Sequence, residues 1–196
     1  MQKVLITGGL GYIGSHTCIS LISSGYKFII FDSLNSSSYE SLKRISDFAI
    51  QFGKDPNKIF SFIKGDVRES NLLDKIFKRE EKNKTPIKKV IHFAGLKSVS
   101  ESYENPLNYW DVNVNGSINL LKIMFKHNCN EFIFSSSAAI YGSSHFGLIN
   151  EDSLTRPENP YAETKAAIES VLKASYNINP HKLKIACLRY FNPIGA

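Results

Sequence analysis

The sequence has few cysteines. Only three occur among 196 residues, Cys18, Cys129 and Cys187, and no two of them form a Cys-x-x-Cys pair. Such an odd and scattered set predicts neither a disulfide framework nor a zinc site, so we expect no bound metal. The Gly-x-x-x-x-Gly-Lys-Ser/Thr motif of P-loop nucleotide sites is also missing from the sequence.

Long hydrophobic runs are missing too. The apolar runs, such as residues 28–31, are far too short to cross a bilayer. Two glycines, at positions 8 and 9, interrupt the N-terminus where the apolar stretch of a signal peptide would continue. A content of 42% hydrophobic and 21% charged residues is typical of a globular protein. We therefore expect one cytoplasmic domain over residues 1–196, without a membrane partner.

The excess of positive charge is dispersed. The formal net charge is +6, but the densest lysine cluster, from Lys82 to Lys89, contains Pro86 and no aromatic residue. Nucleic-acid-binding proteins concentrate basic residues on one face or interleave them with aromatic side chains. We therefore expect no nucleic-acid partner, although the excess favours anionic ligands.

Short apolar runs alternate with helical patterns along the chain. Strands are expected at residues 4–7, 27–31, 59–63, 90–93, 131–135 and 183–188, and helices near 14–24, 38–52, 70–83, 106–127 and 160–176. The strands are apolar along most of their length, as strands covered on both faces should be. This alternation predicts an α/β fold, a Rossmann-type doubly wound parallel sheet in the order 3-2-1-4-5-6.

The first predicted strand runs directly into a glycine-rich turn. The turn fits Gly-x-Gly-x-x-Gly from Gly9 and Gly-x-x-Gly-x-x-Gly from Gly8, and both patterns end at Gly14. Glycines permit a tight turn and let the backbone approach a pyrophosphate, while the following helix directs free N–H groups at it. Because the motif lies between a strand and a helix, it predicts a dinucleotide site.

Two carboxylates follow later strands. Asp32 comes 18 residues after Gly14, and the next cation along the chain is Lys43. A carboxylate at this place can accept hydrogen bonds from the adenosine ribose and repels a 2′-phosphate, which favours NAD over NADP. The alternative is a solvated acid at the end of a strand. Asp66 is a candidate for the adenine edge, with a plain turn residue as the alternative.

Tyr161 and Lys165 lie four residues apart in a predicted helix, so they share one face. A phenol titrates near pH 10, too high for a base at neutral pH. A unit charge ~4 Å away, at an effective dielectric of ~20, would lower that pKa by roughly three units. We therefore expect Lys165 to bring Tyr161 into working range. Ser137, at the end of the fifth strand, is placed to orient a reacting hydroxyl, although loop solvation also explains a serine run.

Five segments together resemble the UDP-glucose 4-epimerase family of extended short-chain dehydrogenase/reductases. They are GGLGYIGSHT at 8–17, HFAGLK at 92–97, NVNG at 113–116, SSSA at 135–138 and RYFNP at 189–193. The resemblance spans nearly the whole sequence and keeps the order and spacing of the segments. It implies NAD as the cofactor and a UDP-sugar as the substrate, with 4-epimerisation as the reaction.

The resemblance also implies a role for each matching residue. Tyr161 would be the base and acid, Lys165 its electrostatic partner, Ser137 the hydroxyl-orienting donor, and Asn192 a contact of the UDP group. In the implied reaction, Tyr161 takes the proton of the sugar 4-hydroxyl while a hydride leaves C4 for NAD and later returns to the opposite face. The implied cofactor-binding residues are Gly8, Gly11, Tyr12, Ile13, Gly14, Asp32, Ser33, Asn35, Ser36, Asp66, Val67, Phe93, Ala94, Gly95, Lys97, Asn113, Tyr161, Lys165 and Phe191. His92 has no such role, and we interpret it as structural because it lies within a strand.

Several alternatives stay open. Members of the family continue well past the position of Ala196 with a smaller lobe that forms most of the sugar pocket, so the resemblance implies that this lobe is missing here. A nucleotide-sugar 4,6-dehydratase would need an Asp-Glu pair where this sequence has Ala138 and Ala139. A UDP-glucuronate epimerase, or a cofactor-binding fragment without turnover, remains possible. The family also suggests a homodimer through the helices near 106–127 and 160–176.

Overall fold

Six parallel strands form one sheet in the order β3-β2-β1-β4-β5-β6, which confirms the predicted topology. The computed structural model describes residues 2–143, 147–178 and 182–194. The strands are β1 (Lys3–Thr7), β2 (Phe28–Asp32), β3 (Phe60–Lys64), β4 (Ile87–His92), β5 (Glu131–Ser137) and β6 (Lys184–Tyr190). Reversal of the strand order at β1 opens a crevice beside the carboxyl ends of β1 and β4, where doubly wound folds bind their ligands.

Helices cover both faces of the sheet. They are α1 (Tyr12–Ser23), α2 (Tyr39–Gln51), α3 (Pro56–Ile59), α4 (Ser70–Lys82), α5 (Val99–Glu104), α6 (Pro106–Tyr109), α7 (Gly116–Lys126) and α8 (Pro160–Ile178). A π-helical segment, Trp110–Asn115, joins α6 to α7, and a 3₁₀ turn, Ala138–Tyr141, follows β5. Within the described ranges, no helix is both long and apolar enough to cross a membrane.

Alternate side chains of the central strands build two separate cores. Ile6 and Ile30 pack with Cys18 and Ile22 on the α1–α2 face. On the other face, Leu5 and its neighbours pack against α4, α7 and α8. The middle residues of β1 and all of β2 are therefore buried, as parallel strands between two helical layers should be.

The structure differs from the sequence-based prediction mainly at the ends of elements. β4 begins at Ile87 rather than residue 90, and β5 continues to Ser137 rather than ending at residue 135. The single helix expected over 106–127 contains the π-helical segment. Two short helices, α3 and α5, were not expected; Asp55 and Ser98 cap them by accepting a backbone N–H.

Candidate functional site

A cleft of about 670 Å³ lies at the carboxyl ends of the strands. Loops after all six strands contribute to its walls, and the predicted site residues meet there with one exception. Those lining the cleft are Gly8, Gly11, Tyr12, Ile13, Gly14, Asp32, Ser33, Asn35, Ser36, Asp66, Val67, Phe93, Ala94, Gly95, Lys97, Ser137, Tyr161, Lys165, Phe191 and Asn192. Asn113 is the exception, because its side chain is buried behind the cleft wall.

Three of the four glycines of the turn, Gly8, Gly11 and Gly14, differ in what requires them. Gly8 has φ +66°, and a Cβ there would lie 2.6 Å from the Ala94 nitrogen. A Cβ at Gly14 would lie 2.2 Å from the Gly8 carbonyl oxygen, so these two positions are fixed by backbone packing. At Gly11 the nearest atom would be that same oxygen at 3.4 Å, an ordinary contact. Packing therefore does not demand glycine at 11, whereas close approach of a ligand would.

The N-terminus of α1 opens into the cleft beside Gly11. Gly11 is the N-cap residue, no side chain caps the helix, and the first turn carries no acidic residue. Backbone N–H groups at such an end have no partner within the helix and attract anions, which the helix dipole reinforces. This end of the cleft is therefore suited to a phosphate or pyrophosphate group.

Asp32 is buried at the end of β2 and organises the turn beside it. Its Oδ2 accepts a hydrogen bond from the Leu10 amide at 2.9 Å. Its Oδ1 accepts two more, from the Leu34 amide at 2.9 Å and from Ser37 Oγ at 2.7 Å. A carboxylate has about four acceptor sites. The contacts among described residues use three of them, which leaves one site on Oδ2 for a ligand hydroxyl.

Asp66 faces the cleft but is paired with a cation that the sequence pattern did not indicate, Arg68. Both of its oxygens accept hydrogen bonds from Arg68, at 2.7 and 3.0 Å from the guanidinium. The Arg68 hydrogen bond holds the pKa of Asp66 below its usual value. Arg68 also contacts Asp111 at 2.8 Å, which ties the loop after β3 to the π-helical segment. Asp66 is thus an anchored, ionised carboxylate.

His92 is structural, as interpreted from the sequence. Ser117 Oγ donates to the Asn113 carbonyl at 2.5 Å, so it can only accept from His92 Nε2, at 2.8 Å. His92 Nδ1 must then accept from Thr7 Oγ1, at 2.6 Å. Burial lowers the pKa of His92 to about 3, and the ring is neutral. These hydrogen bonds connect β1, β4 and α7 beneath the cleft.

Asn113 acts on the cleft through the backbone of its wall. Its Oδ1 accepts from the Leu96 amide at 2.8 Å, and its Nδ2 donates to the Leu96 carbonyl at 3.0 Å and to Thr164 Oγ1 at 3.1 Å. A Cβ on Gly95 would lie 3.0 Å from the same Oδ1. Asn113 therefore holds the backbone of the cleft wall at Gly95 and Leu96 against α8. It sits in the π-helical segment, a kind of distortion that is frequent at functional sites.

Ser137 and Tyr161 meet across the cleft between β5 and α8. The Ser137 hydroxyl accepts the Ala139 amide at 3.2 Å, which leaves its own hydrogen free to donate. The Ser137 side chain lowers the pKa of the Tyr161 phenol, but burial has the larger effect and raises it. A group that donates to the phenol oxygen is what a proton-transferring tyrosine requires to stabilise its ionised form.

The expected lowering of the Tyr161 pKa by Lys165 is wrong for this structure. The Lys165 amine lies 5.8 Å from the centre of the Tyr161 ring and donates to the Ser135 carbonyl at 2.9 Å. Burial lowers the pKa of Lys165 itself to about 8. Desolvation therefore governs both groups, and the net pKa shift of Tyr161 is upward. The sequence spacing placed both side chains on one face of the helix but carried no information on burial.

Several residues of the cleft were not predicted. Tyr190, Pro193 and Val99 add apolar wall, and Ser37 closes the turn around Asp32. Tyr190 lies within the RYFNP segment next to Phe191, so its place in that segment was an available signal. Ser37 lies in the loop after β2 and Val99 begins α5, and nothing in their local sequence distinguishes them.

The family model for GDP-mannose 4,6 dehydratase matches residues 5–196 of this chain. The chain belongs to this family. Among curated proteins it is 42% identical over 196 residues to UDP-glucose 4-epimerase 2 of Oryza sativa subsp. japonica, of which it covers 46%. It is 40% identical over 195 residues to UDP-glucose 4-epimerase of Bacillus subtilis (strain 168), of which it covers 54%. All of this chain is matched in both cases.

A solved structure gives the same picture. UDP-glucose 4-epimerase from Bifidobacterium longum, crystallised with NAD⁺ and UDP, matches with a TM-score of 0.89 and 40% identity. The match covers 100% of this chain and 55% of that chain. The chain thus spans about half the length of the relatives it matches, and the shared half contains the cleft described above.

Proposed function

We propose that this chain is the cofactor-binding part of an NAD-dependent UDP-glucose 4-epimerase. The observation that carries the proposal is the meeting of Ser137, Tyr161 and Lys165 with the glycine turn in one cleft. The relatives named above are epimerases, which supports the reaction. A dehydratase is disfavoured because Ala138 and Ala139, which line the cleft where its acid and base would be needed, cannot transfer protons.

The residues of the cleft fit NAD. The uncapped N-terminus of α1 and the open position at Gly11 would receive the pyrophosphate. Asp32 would accept one hydroxyl of the adenosine ribose on its remaining acceptor site, and Asp66 would lie near the adenine. The backbone at Gly95 and Leu96, which Asn113 holds in place, would border the nicotinamide end. When bound, the nicotinamide supplies a hydride acceptor whose positive ring also favours the ionised form of a nearby phenol.

The chain's own residues would handle the proton. Tyr161 would take the proton from the 4-hydroxyl of the sugar as the carbon is oxidised and give it back after the 4-keto sugar has turned over. Ser137 would donate a hydrogen bond to the reacting oxygen. Lys165, held on the Ser135 carbonyl, would keep a positive charge next to the site at neutral pH. Because net redox is zero, the cofactor would stay bound.

The substrate is proposed to be a UDP-sugar. Asn192 is exposed at the rim of the cleft, where it could contact the UDP group. A UDP-glucuronate epimerase is the alternative within this class, because the present cleft has no contact that reads the sugar C6 among its described residues. We propose a cytoplasmic location for the same enzyme.

We also propose a homodimer. Its interface would be formed by α8 and by the continuous helical stretch that consists of α6, the π-helical segment and α7. The apolar stripe that suggested it from sequence is mostly core, since Leu120, Leu121 and Met124 are buried. Support comes instead from exposed apolar residues on these helices, Leu107 at 84% and Phe125 at 44% exposure. Sedimentation at micromolar concentration tests this, and a strict monomer would contradict it.

The catalytic proposal is tested in a fused protein, in which this chain is followed by the unmatched remainder of the Bacillus subtilis relative. We expect it to convert UDP-galactose to UDP-glucose. Tyr161→Phe should abolish turnover and spare NAD binding, because the phenol oxygen is lost and the cleft is not. Near wild-type turnover in Tyr161→Phe would show that another group is the base.

A further inference from the structure

One face of α8 contacts three successive residues of β5. Tyr161, Lys165 and Glu169 are spaced by four and therefore lie on one face, on successive turns. Lys165 donates to the Ser135 carbonyl, and Tyr161 faces the same cleft as Ser137, whose side chain lowers the phenol pKa. Glu169 accepts from the hydroxyl between them, that of Ser136, at 2.5 Å. Tyr161 and Lys165 are thus two of three residues that join one face of α8 to the end of β5.

Glu169 is itself held by Arg189 on the neighbouring strand. Arg189 Nε and Nη2 donate to the two oxygens of Glu169 at 3.1 and 2.8 Å, a bidentate pair. Arg189 is also the β6 partner of Ser136 in the β5–β6 register. One carboxylate and one guanidinium therefore join α8, β5 and β6 at the point where β5 ends.

The same arginine reaches the other side of Ser137. Its Nη1 donates to Tyr141 Oη at 2.6 Å and to the Glu151 carbonyl at 2.9 Å. Tyr141 ends the 3₁₀ turn that Ser137 caps. Ser137 is consequently fixed on its N-terminal side through Ser136 and on its C-terminal side through Tyr141.

The pair is shielded enough for these contacts to matter. The side chains of Glu169 and Arg189 are only 14% and 21% exposed, and Ser136 is buried. Charge pairs in such surroundings are weakly screened, and removing one partner leaves the other uncompensated. A fully exposed pair would have little influence on the position of its neighbours.

We infer that Glu169, braced by Arg189, is a positioning residue that sets where Ser137 lies relative to Tyr161. It touches neither substrate nor cofactor, and it acts by holding β5 on α8. The inference deepens the proposed function, since Ser137 and Tyr161 matter only if they do chemistry. Its structural content, however, can be measured without turnover.

The test is the pKa of Tyr161 in the 196-residue chain. Tyrosine labelled at Cζ is titrated by NMR, and the resonance of Tyr161 is assigned with Tyr161→Phe. Since the Ser137 side chain lowers this pKa, displacing Ser137 by Glu169→Gln should raise it by about one unit, the equivalent of a tenfold weaker preference for the phenolate. Ser136→Ala, a smaller change that leaves the Glu169–Arg189 pair intact, should raise it in the same direction.

Glu163→Gln is the matched control, because Glu163 is an exposed carboxylate on the same helix. It should leave the Tyr161 pKa unchanged. If Glu169→Gln and Ser136→Ala lower the melting temperature but leave the Tyr161 pKa where it is in the wild type, the pair is merely structural and the inference is wrong. Because no turnover is needed, this result is independent of whether the fused protein is an epimerase.

Discussion

Asp32 has two tasks that use the same carboxylate. It accepts backbone and hydroxyl hydrogen bonds from residues 10, 34 and 37, which shape the turn, and it presents a remaining acceptor site to the cleft. The sequence pattern predicts only the second task. A 2′-phosphate on the adenosine ribose would meet a buried negative charge whose oxygens cannot rotate away without breaking the turn.

We therefore predict a preference for NAD(H) over NADP(H). Repulsion between two negative charges in this partly desolvated site should cost at least ~2 kcal/mol, which is about 30-fold in affinity. Titration by nicotinamide fluorescence measures both affinities. Asp32→Asn should narrow the difference, whereas Asp47→Asn, which removes an exposed carboxylate on α2, should not. Equal affinities of the wild type for NAD(H) and NADP(H) would contradict this prediction.

The buried amine of Lys165 leads to a prediction about how the free energy of unfolding depends on pH. Its pKa is about 8 in the folded chain, because the amine is buried, and near 10.5 when unfolded. Between these values the unfolded chain keeps a proton that the folded chain has released, so stability rises with pH. At 1.36 kcal/mol per pKa unit, the whole rise amounts to about 3 kcal/mol.

The comparison with Lys165→Met isolates this effect, because all other titrations are shared. The wild type should gain about 3 kcal/mol relative to the variant as pH increases from 8 to 10.5, measured by urea unfolding. Lys173→Met removes an exposed lysine of the same helix and should show no such trend. A wild-type-to-variant difference that stays constant with pH would mean that the amine is not buried in solution.

At the scale of elements, the glycine turn allows folding and binding to be separated. Gly14→Ala would place a methyl group 2.2 Å from a carbonyl oxygen, so it should destabilise the chain by more than about 2 kcal/mol. Gly11→Ala meets its first atom at 3.4 Å and should leave the melting temperature nearly unchanged. It should nonetheless weaken NAD binding at least tenfold, because the methyl group would lie where the pyrophosphate approaches.

Melting temperature and NAD affinity are measured on both glycine variants. The pair is its own control, since each substitution adds one methyl group to the same turn. Unchanged NAD affinity in Gly11→Ala would place the pyrophosphate elsewhere.

The order of the strands and the place of the cleft could be predicted because they follow from local patterns. Apolar runs mark strands between two helical layers, and the glycine turn lies where the first strand meets the first helix. The start of β4 was missed because two charged residues, Lys88 and Lys89, follow Ile87 and interrupt the apolar pattern of the strand. Their long side chains reach out to the Asn128 carbonyl and to Glu131.

The fine structure of the site depends on contacts between distant residues, which no local pattern reveals. The Asn113 clamp joins positions 17 and 51 residues apart in the sequence. The direction of the Tyr161 pKa depends on burial, and the spacing of Tyr161 and Lys165 gave only their shared face. The bracing of Ser136 by Glu169 spans 33 residues and was not anticipated.

At the scale of the whole molecule, the described chain contains a six-stranded sheet and a cofactor cleft but few candidate contacts for a nucleotide sugar. Epimerisation requires that the UDP group be held firmly while the 4-keto sugar turns over, so binding energy must come from the nucleotide, away from the reacting carbon. Of the residues assigned to substrate, only Asn192 is assigned to UDP. Beyond Arg189, Phe191 and Ile194 are 66% and 91% exposed.

We therefore predict that the 196-residue chain binds NAD but is a poor epimerase, at least a hundredfold slower than the fused protein. Its reacting centre would stand open to water, which screens the charges around Tyr161 and exposes a keto intermediate to release. The exposed apolar residues should also promote aggregation, which the fused protein should reduce. Conversion of UDP-galactose to UDP-glucose is followed in both proteins at equal NAD content. Tyr161→Phe in the fused protein gives the background rate. If the short chain turned over as fast as the fused protein, the cleft described above would already hold the UDP group, and its binding contacts would have to be sought among the residues that line it.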